Sequence, residues 1–215
     1  MQDTSYELLT IFRDGGFMMI PLVLCSLVAL GIIIAKGWTL FVAHRDSKRL
    51  LRDIRDLGES GRLDEAIQLA RETRGPVAAI LLTGLRRVKE GGEQKEIGKA
   101  IGTTGAIELD FLERGLTVLA TIANVAPMLG FLGTVIGMIQ AFAAIEEAGQ
   151  VEPTLVASGI KVALITTAAG LSIAIPVNIA YNYFVSRVDT LISDMEKGAQ
   201  AVLDLVWRIR AQRSA

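Results

Sequence analysis

Residues 124–140 read NVAPMLGFLGTVIGMIQ, in the middle of an uncharged run from 115 to 145. Such a run exceeds the roughly 20 residues that a helix needs to cross a bilayer. It makes poor lipid-facing sequence, because Pro127, Gly130, Gly133 and Gly137 interrupt it and Asn124, Thr134 and Gln140 are polar. Backbone groups freed by such interruptions need partners, so this helix is expected to be surrounded by protein or to line a cavity. Gly133 and Gly137 form a small-x-x-x-small pair that lets another helix approach closely. Pro127 and Gly130 are grouped with them as packing positions.

Two more uncharged blocks, 15–35 and 162–186, reach spanning length. The single cysteine, Cys25, lies in the first, so no disulfide forms within the chain and a buried, inert thiol is expected. Formal net charge is −1, which argues against a nucleic-acid binder. One basic residue, Arg13, precedes the first span, and one, Lys161, falls in 146–161, the short loop after the second span together with the start of the third. Fourteen lysines and arginines fall in 45–114 and five follow Ser186. Basic residues stay cytoplasmic. Those nearest the membrane ends, Arg45, Lys48, Arg49, Arg114 and Arg187, count most, since the middle segment is about as acidic as it is basic.

The expected layout follows. An external segment, 1–15, precedes a first span at 16–44. A cytoplasmic helical domain covers 45–114. The second span, 115–145, carries a cytoplasmic extension. An external loop at 146–154, the third span at 155–186 and a cytoplasmic helical tail at 187–215 complete the chain. The N-terminus lacks a basic n-region and a small-x-small cleavage site, so it is not read as a cleaved signal peptide. Tyr6, Leu8, Leu9, Ile11 and Phe12 suit a short surface helix, with Gly15 and Gly16 as the joint into the first span. Pro21 is tolerated in its first turns. Lys36, Trp38 and His44 mark its inner end, with Lys36 snorkelling toward water. His44, the only histidine, reads as a surface residue.

The middle segment reads as helices. One spans 46–57, with Gly58 and Gly61 breaking it. A second spans 63–71, with Leu63, Ala66, Ile67 and Ala70 on one face. A third starts at Gly75-Pro76 and carries Ile80, Leu81 and Leu85. From Glu93 a helix is expected to run unbroken into the second span. Catalytic groupings, a phosphate-binding glycine loop and metal-ligand spacings are absent, so neither an enzyme nor a cofactor or metal is implied. The charges form a solvated face.

The third span begins after Pro153, a good first-turn residue. Ala163, Thr167, Gly170, Ala174 and Asn178 recur at helical spacing as a small, weakly polar packing stripe. Tyr181, Tyr183 and Phe184 suit an aromatic belt. Val185, Val188, Ile192, Met195, Ala199, Val202, Val206 and Ile209 continue in heptad spacing. The tail is expected to pack on the helix entering the second span or on a neighbouring subunit. Together with the Gly133–Gly137 face it is expected to hold a homo-oligomer together.

The second and third spans form a hairpin about Gly149. At about 1.5 Å rise per residue, Thr134 and Thr167 reach similar depth, near the bilayer midplane. Their hydroxyls, with Thr166 beside them, either make interhelical hydrogen bonds of about 0.6 kcal/mol each or line a wet path. No Asp or Glu lies inside any span. Proton-conducting proteins place a titratable group in the membrane, so a proton path here needs a carboxylate from another chain.

Residues 126–138, APMLGFLGTVIGM, closely resemble the second-span signature of the ExbB/TolQ/MotA proton-channel family. Residues 159–176 resemble its third-span signature, and Tyr181-Asn182 its following Tyr-Asn pair. The resemblance covers nearly the whole chain. It implies an all-helical, three-span protein of the bacterial inner membrane, N-terminus periplasmic and C-terminus cytoplasmic. It implies a homo-pentamer around a dimer of a single-span ExbD- or TolR-like partner that carries the proton-binding Asp. Proton flow would then energise a TonB- or TolA-linked envelope machine, with Thr134 and Thr167 as pore threonines. One departure stands out: Val162 occupies a position where ExbB and TolQ commonly carry Glu. That keeps a TolQ-like or gliding-motility branch open beside ExbB proper, whereas the four spans of MotA exceed the three found here. A structural membrane scaffold without its own ion path is the competing class.

Overall fold

A computed structural model of the chain describes residues 10–214, with side chains at all of them except 44–46, 59 and 209–214. The expectations for Tyr6, Leu8 and Leu9, and for the side chains of His44, Arg45 and Ile209, lie outside the described residues. Among those described there is no strand. Six helices follow a helical stretch at 10–14: α1 Met19–Glu59, α2 Leu63–Glu72, α3 Pro76–Lys89, α4 Gln94–Glu113, α5 Leu116–Ala148 and α6 Pro153–Ser214. Three segments, Met19–Gly58, Gln94–Ala148 and Pro153–Arg208, are long and apolar enough to cross a membrane.

The chain divides into two compact units. Of the described residues, 10–34 and 115–182 form the first, and 35–114 with 183–214 the second. In the first, Gly16 takes a left-handed conformation (φ 67°) at the joint before α1, as its position required. Gly149, also left-handed (φ 68°), caps α5 and its N–H returns to Ile145 O at 3.0 Å. Pro153 then opens α6. Large apolar side chains, among them Phe17, Leu24, Leu27, Met128, Phe131 and Phe142, point outward. An aqueous surface would not tolerate that much exposed hydrocarbon, whereas a bilayer or neighbouring subunits would. Cys25 is half-buried rather than fully enclosed.

In the second unit, α1 presents Leu40, Ala43, Ser47, Leu50 and Ile54 as one buried stripe. Ala66, Ile67 and Ala70 of α2 and Ile80, Leu81 and Leu85 of α3 complete the core as their spacing predicted. Gly58 stays inside α1, and the chain turns only at left-handed Gly61 (φ 73°). The helix expected to run unbroken from Glu93 is interrupted: α4 ends at Glu113 and Gly115 is left-handed (φ 87°).

Lys36 does not snorkel. It is 8% exposed, and its Nζ donates to Phe111 O (3.1 Å) and Leu112 O (2.9 Å), the unpaired carbonyls at the C-terminal end of α4. Its charge sits where the helix dipole is negative, and the Phe111 ring lies 5.9 Å away. The tail packs on its own chain. Phe184 faces Gly37, Gly198 faces Leu51 and Leu81, Val202 faces Gly84, and Leu205 faces Gly58. Phe184 is therefore a core residue, not part of an aromatic belt, while Tyr183 is exposed.

Candidate functional site

The seam between α5 and α6 is built almost entirely from small residues. Ala126, Gly130, Gly133, Gly137 and Ala141 of α5 are buried against Gly159, Ala163, Thr166 and Gly170 of α6, and Ala174 is buried one turn further on. The two backbones nearly touch. A Cβ on Gly170 would lie 2.6 Å from Ala126 O, one on Gly130 2.8 Å from Thr166 O, and one on Gly137 2.8 Å from Gly159 O. Close approach of this kind is what glycine permits in a membrane helix pair. The Gly133–Gly137 face is thus occupied within the chain and is not free to join subunits.

The structure separates the three threonines. Thr166 is fully buried in the seam against Gly133. Its hydroxyl donates into its own helix, 3.0 Å from both Val162 O and Ala163 O. Thr134 and Thr167 are half-buried. The Thr134 hydroxyl donates to Phe131 O at 2.6 Å, and that of Thr167 crosses the seam to Gly130 O at 3.4 Å. Both oxygens keep lone pairs for an incoming donor.

Depth and direction follow from the same contacts. Gly133 meets Thr166 and Gly130 meets Thr167 and Gly170, so Thr134 and Thr167 differ in level by only about two residues, or ~3 Å. At about 100° per residue, Thr134 is turned about 60° from the middle of the α5 seam face and Thr167 about 60° in the same sense from that of α6. In an antiparallel pair, equal turns of the same sense bring both side chains to one side of the hairpin. Asp14 and Gly15 approach from the other side. Gly15 lies against Ile165, two residues and so roughly 200° away from Thr167 around α6. Asp14 pairs with Lys161 at 2.5 Å on the back of the same helix.

Pro127 sits inside α5 beside the seam. It has no N–H to give, so the Ala123 carbonyl lacks its helical partner. Asn178, expected in the packing stripe, is exposed and accepts a hydrogen bond from Asn182 Nδ2 at 3.0 Å. Its place is taken by Val177, 4% exposed. Sequence reasoning did not single out Ala126, Ala141, Gly159 or Val177. The signal that finds them is the pairing of small residues about Gly149, read outward on both strands of the hairpin.

Residues 72–197, more than half of the chain, match the MotA/TolQ/ExbB proton channel family. ExbB-like protein 1 of Synechocystis is 33% identical over 94% of this chain and 80% of its own length. ExbB of Pseudomonas putida is 32% identical over 88% of this chain, which spans only 59% of that longer protein. TolQ of Haemophilus influenzae is 45% identical, over 40% of this chain.

Proposed function

The chain belongs to the MotA/TolQ/ExbB proton channel family, and from that premise we propose that it is the ExbB/TolQ-like subunit through which the proton motive force energises a cell-envelope machine. Thr134 and Thr167 line the proton path. The observation that carries this reading is their arrangement. They flank one seam, within about two residues of one level and on one side, turned away from Asp14 and Gly15. A hydroxyl donates and accepts without holding charge, so it extends a hydrogen-bonded chain through apolar surroundings. It does not take up the proton, and these spans contain no carboxylate. The acid therefore comes from a partner: a single-span ExbD- or TolR-like dimer enclosed by a homo-oligomer, five copies by family likeness. A TonB- or TolA-like protein then takes up the work. Relatives named ExbB align over most of the chain and TolQ over a shorter part, which supports an ExbB-like role. Val162 marks it as an atypical one. By charge placement the N-terminus and the 146–154 loop are periplasmic and the second unit cytoplasmic. Thr166 packs the seam and stands outside the path.

The test compares three isosteric changes in the complex reconstituted with its partner in liposomes. Thr134→Val and Thr167→Val each lower proton flux at least about tenfold, the scale of about 1.4 kcal/mol that losing one hydrogen bond in the path can supply. Thr166→Val assembles equally well and keeps its flux. Full flux in both Thr134→Val and Thr167→Val would sink the proposal and leave a packing scaffold.

A further inference from the structure

The second unit contains an apolar cavity that the proton path does not use. It is an open cleft of about 550 Å³ between the last turns of the first span, the α2–α3 turn and the end of α4. That volume is typical of a small-ligand site, roughly 300–1,000 Å³. Trp38, Val42, Ala79, Leu82 and Phe111 supply its apolar walls, and Arg71, Arg74 and Glu108 its charges. Trp38 is 75% exposed and Phe111 54%, at the end of a spanning segment where aromatic rings meet lipid headgroups. Arg62, Arg87 and Arg114 each pair with a carboxylate. Arg71 and Arg74 are exposed and have no ion-pair partner among the described residues.

We infer that this cavity binds an anionic phospholipid of the bilayer, with an acyl chain against Trp38, Val42 and Phe111 and the phosphate held by Arg71 and Arg74. Two features together select that occupant. A soluble anion would satisfy the guanidinium groups and leave the apolar wall bare. A zwitterionic lipid would cover the wall and leave the arginine charge uncompensated, because Glu108 offsets only one of the two. Guanidinium groups bind phosphate through paired, charge-assisted hydrogen bonds. The inference rests on the membrane-spanning reading and on the level of Trp38, not on the threonine path.

The chain has two tryptophans, so Trp207→Phe leaves Trp38 as the reporter. The full-length protein is placed in vesicles of phosphatidylcholine and phosphatidylglycerol, with brominated acyl chains on one lipid or the other. At roughly fivefold per arginine, with Glu108 offsetting one of the two, brominated phosphatidylglycerol is expected to compete for quenching about fivefold better at low salt. Added salt shrinks that preference. Arg71→Gln with Arg74→Gln brings it within about twofold of unity. Arg86→Gln with Arg87→Gln removes the same charge elsewhere and leaves it unchanged. Equal quenching by both lipids, the result if a second copy of the chain covers the cavity, overturns the assignment. So does a preference that resists salt, survives in the first pair or is lost equally in the second. Proton flux does not enter the readout, so failure of the threonine path leaves this result standing.

Discussion

Gly170→Ala tests how closely the two seam helices approach. The added Cβ would lie 2.6 Å from Ala126 O, 3.1 Å from Gly130 Cα and 3.3 Å from Gly130 N, all backbone atoms of α5. None of these atoms swings aside as a side-chain tip does. Ordinary non-bonded separations begin at about 3.5 Å, so the helices must part locally by several tenths of an ångström to about one. A gap of that size forfeits a quarter to a half of each dispersion contact along the seam. It also lengthens the 3.4 Å bond from Thr167 to Gly130 O, already at its limit. Overpacking of this kind costs about 1–3 kcal/mol, and alanine returns up to about 1 kcal/mol of helix propensity. With the full propensity gain the net loss is about 0–2 kcal/mol, and the difference from a control that gains propensity alone is about 1–3 kcal/mol. Gly31→Ala is the matched control, because a Cβ there meets nothing within 4 Å. Propensity then acts alone, and the change is neutral or stabilising by up to about 1 kcal/mol. Thermal unfolding of both variants in one detergent decides the matter. If Gly170→Ala is as stable as Gly31→Ala, the helices are not in backbone contact and the level assigned to Thr134 and Thr167 falls with the seam.

Lys36→Met keeps the apolar stem but loses both bonds to the end of α4, so about 2–3 kcal/mol of local stability should go. Hydrogen exchange should then quicken around residues 108–113, and unchanged protection there contradicts the capping role. Met195→Asp and Val202→Asp place charge at positions 5% and 1% exposed, so the second unit should lose its cooperative near-ultraviolet signal. Native mass spectra showing well-folded monomers instead would return the tail to an intersubunit role. A reporter fused after Arg114 should read as cytoplasmic and one at Gly149 as external, and the opposite pattern reverses the membrane orientation.

Much of the helical plan was legible because its signals are strong and local. Uncharged runs of spanning length, Pro153 at a helix start and the apolar faces of α2 and α3 each depend on residues close in sequence. The misses share a different cause. Gly58 and Gly115 carry the same weak signal, yet one stays helical and the other breaks the chain. Only the packing around each decides that. Lys36 reads as an interfacial lysine until α4 brings two unpaired carbonyls to it from 75 and 76 residues away. The tail shows the limit of a heptad reading. Val188, Met195, Val202 and Val206 are buried as expected, but Phe184, Leu191 and Gly198 replace Val185, Ile192 and Ala199. Apolar residues stand at both alternatives, so periodicity alone does not choose between stripes one residue apart.

The same ambiguity of one residue bears on function at Thr166 and Thr167. The stripe read from sequence took Ala163, Thr167, Gly170, Ala174 and Asn178; the seam takes Ala163, Thr166, Gly170 and Ala174, with Gly159 before and Val177 after. Counting outward from Gly149 does not resolve it, since Gly133 faces Thr166 and Gly130 faces Thr167 to within one residue; the contacts do, because the Thr166 side chain is the one that lies on a glycine. A glycine leaves room for the opposing side chain to enter the seam, so Thr166 goes in and Gly133 accommodates it. A hydroxyl buried that way must find an acceptor, and it finds Val162 O and Ala163 O. Thr167, about 100° further round, is thereby turned to the flank that Thr134 also reaches. Packing of the first threonine thus fixes where the second one points. Enlarging Gly133 should therefore disturb the proposed path at Thr167 without touching that residue.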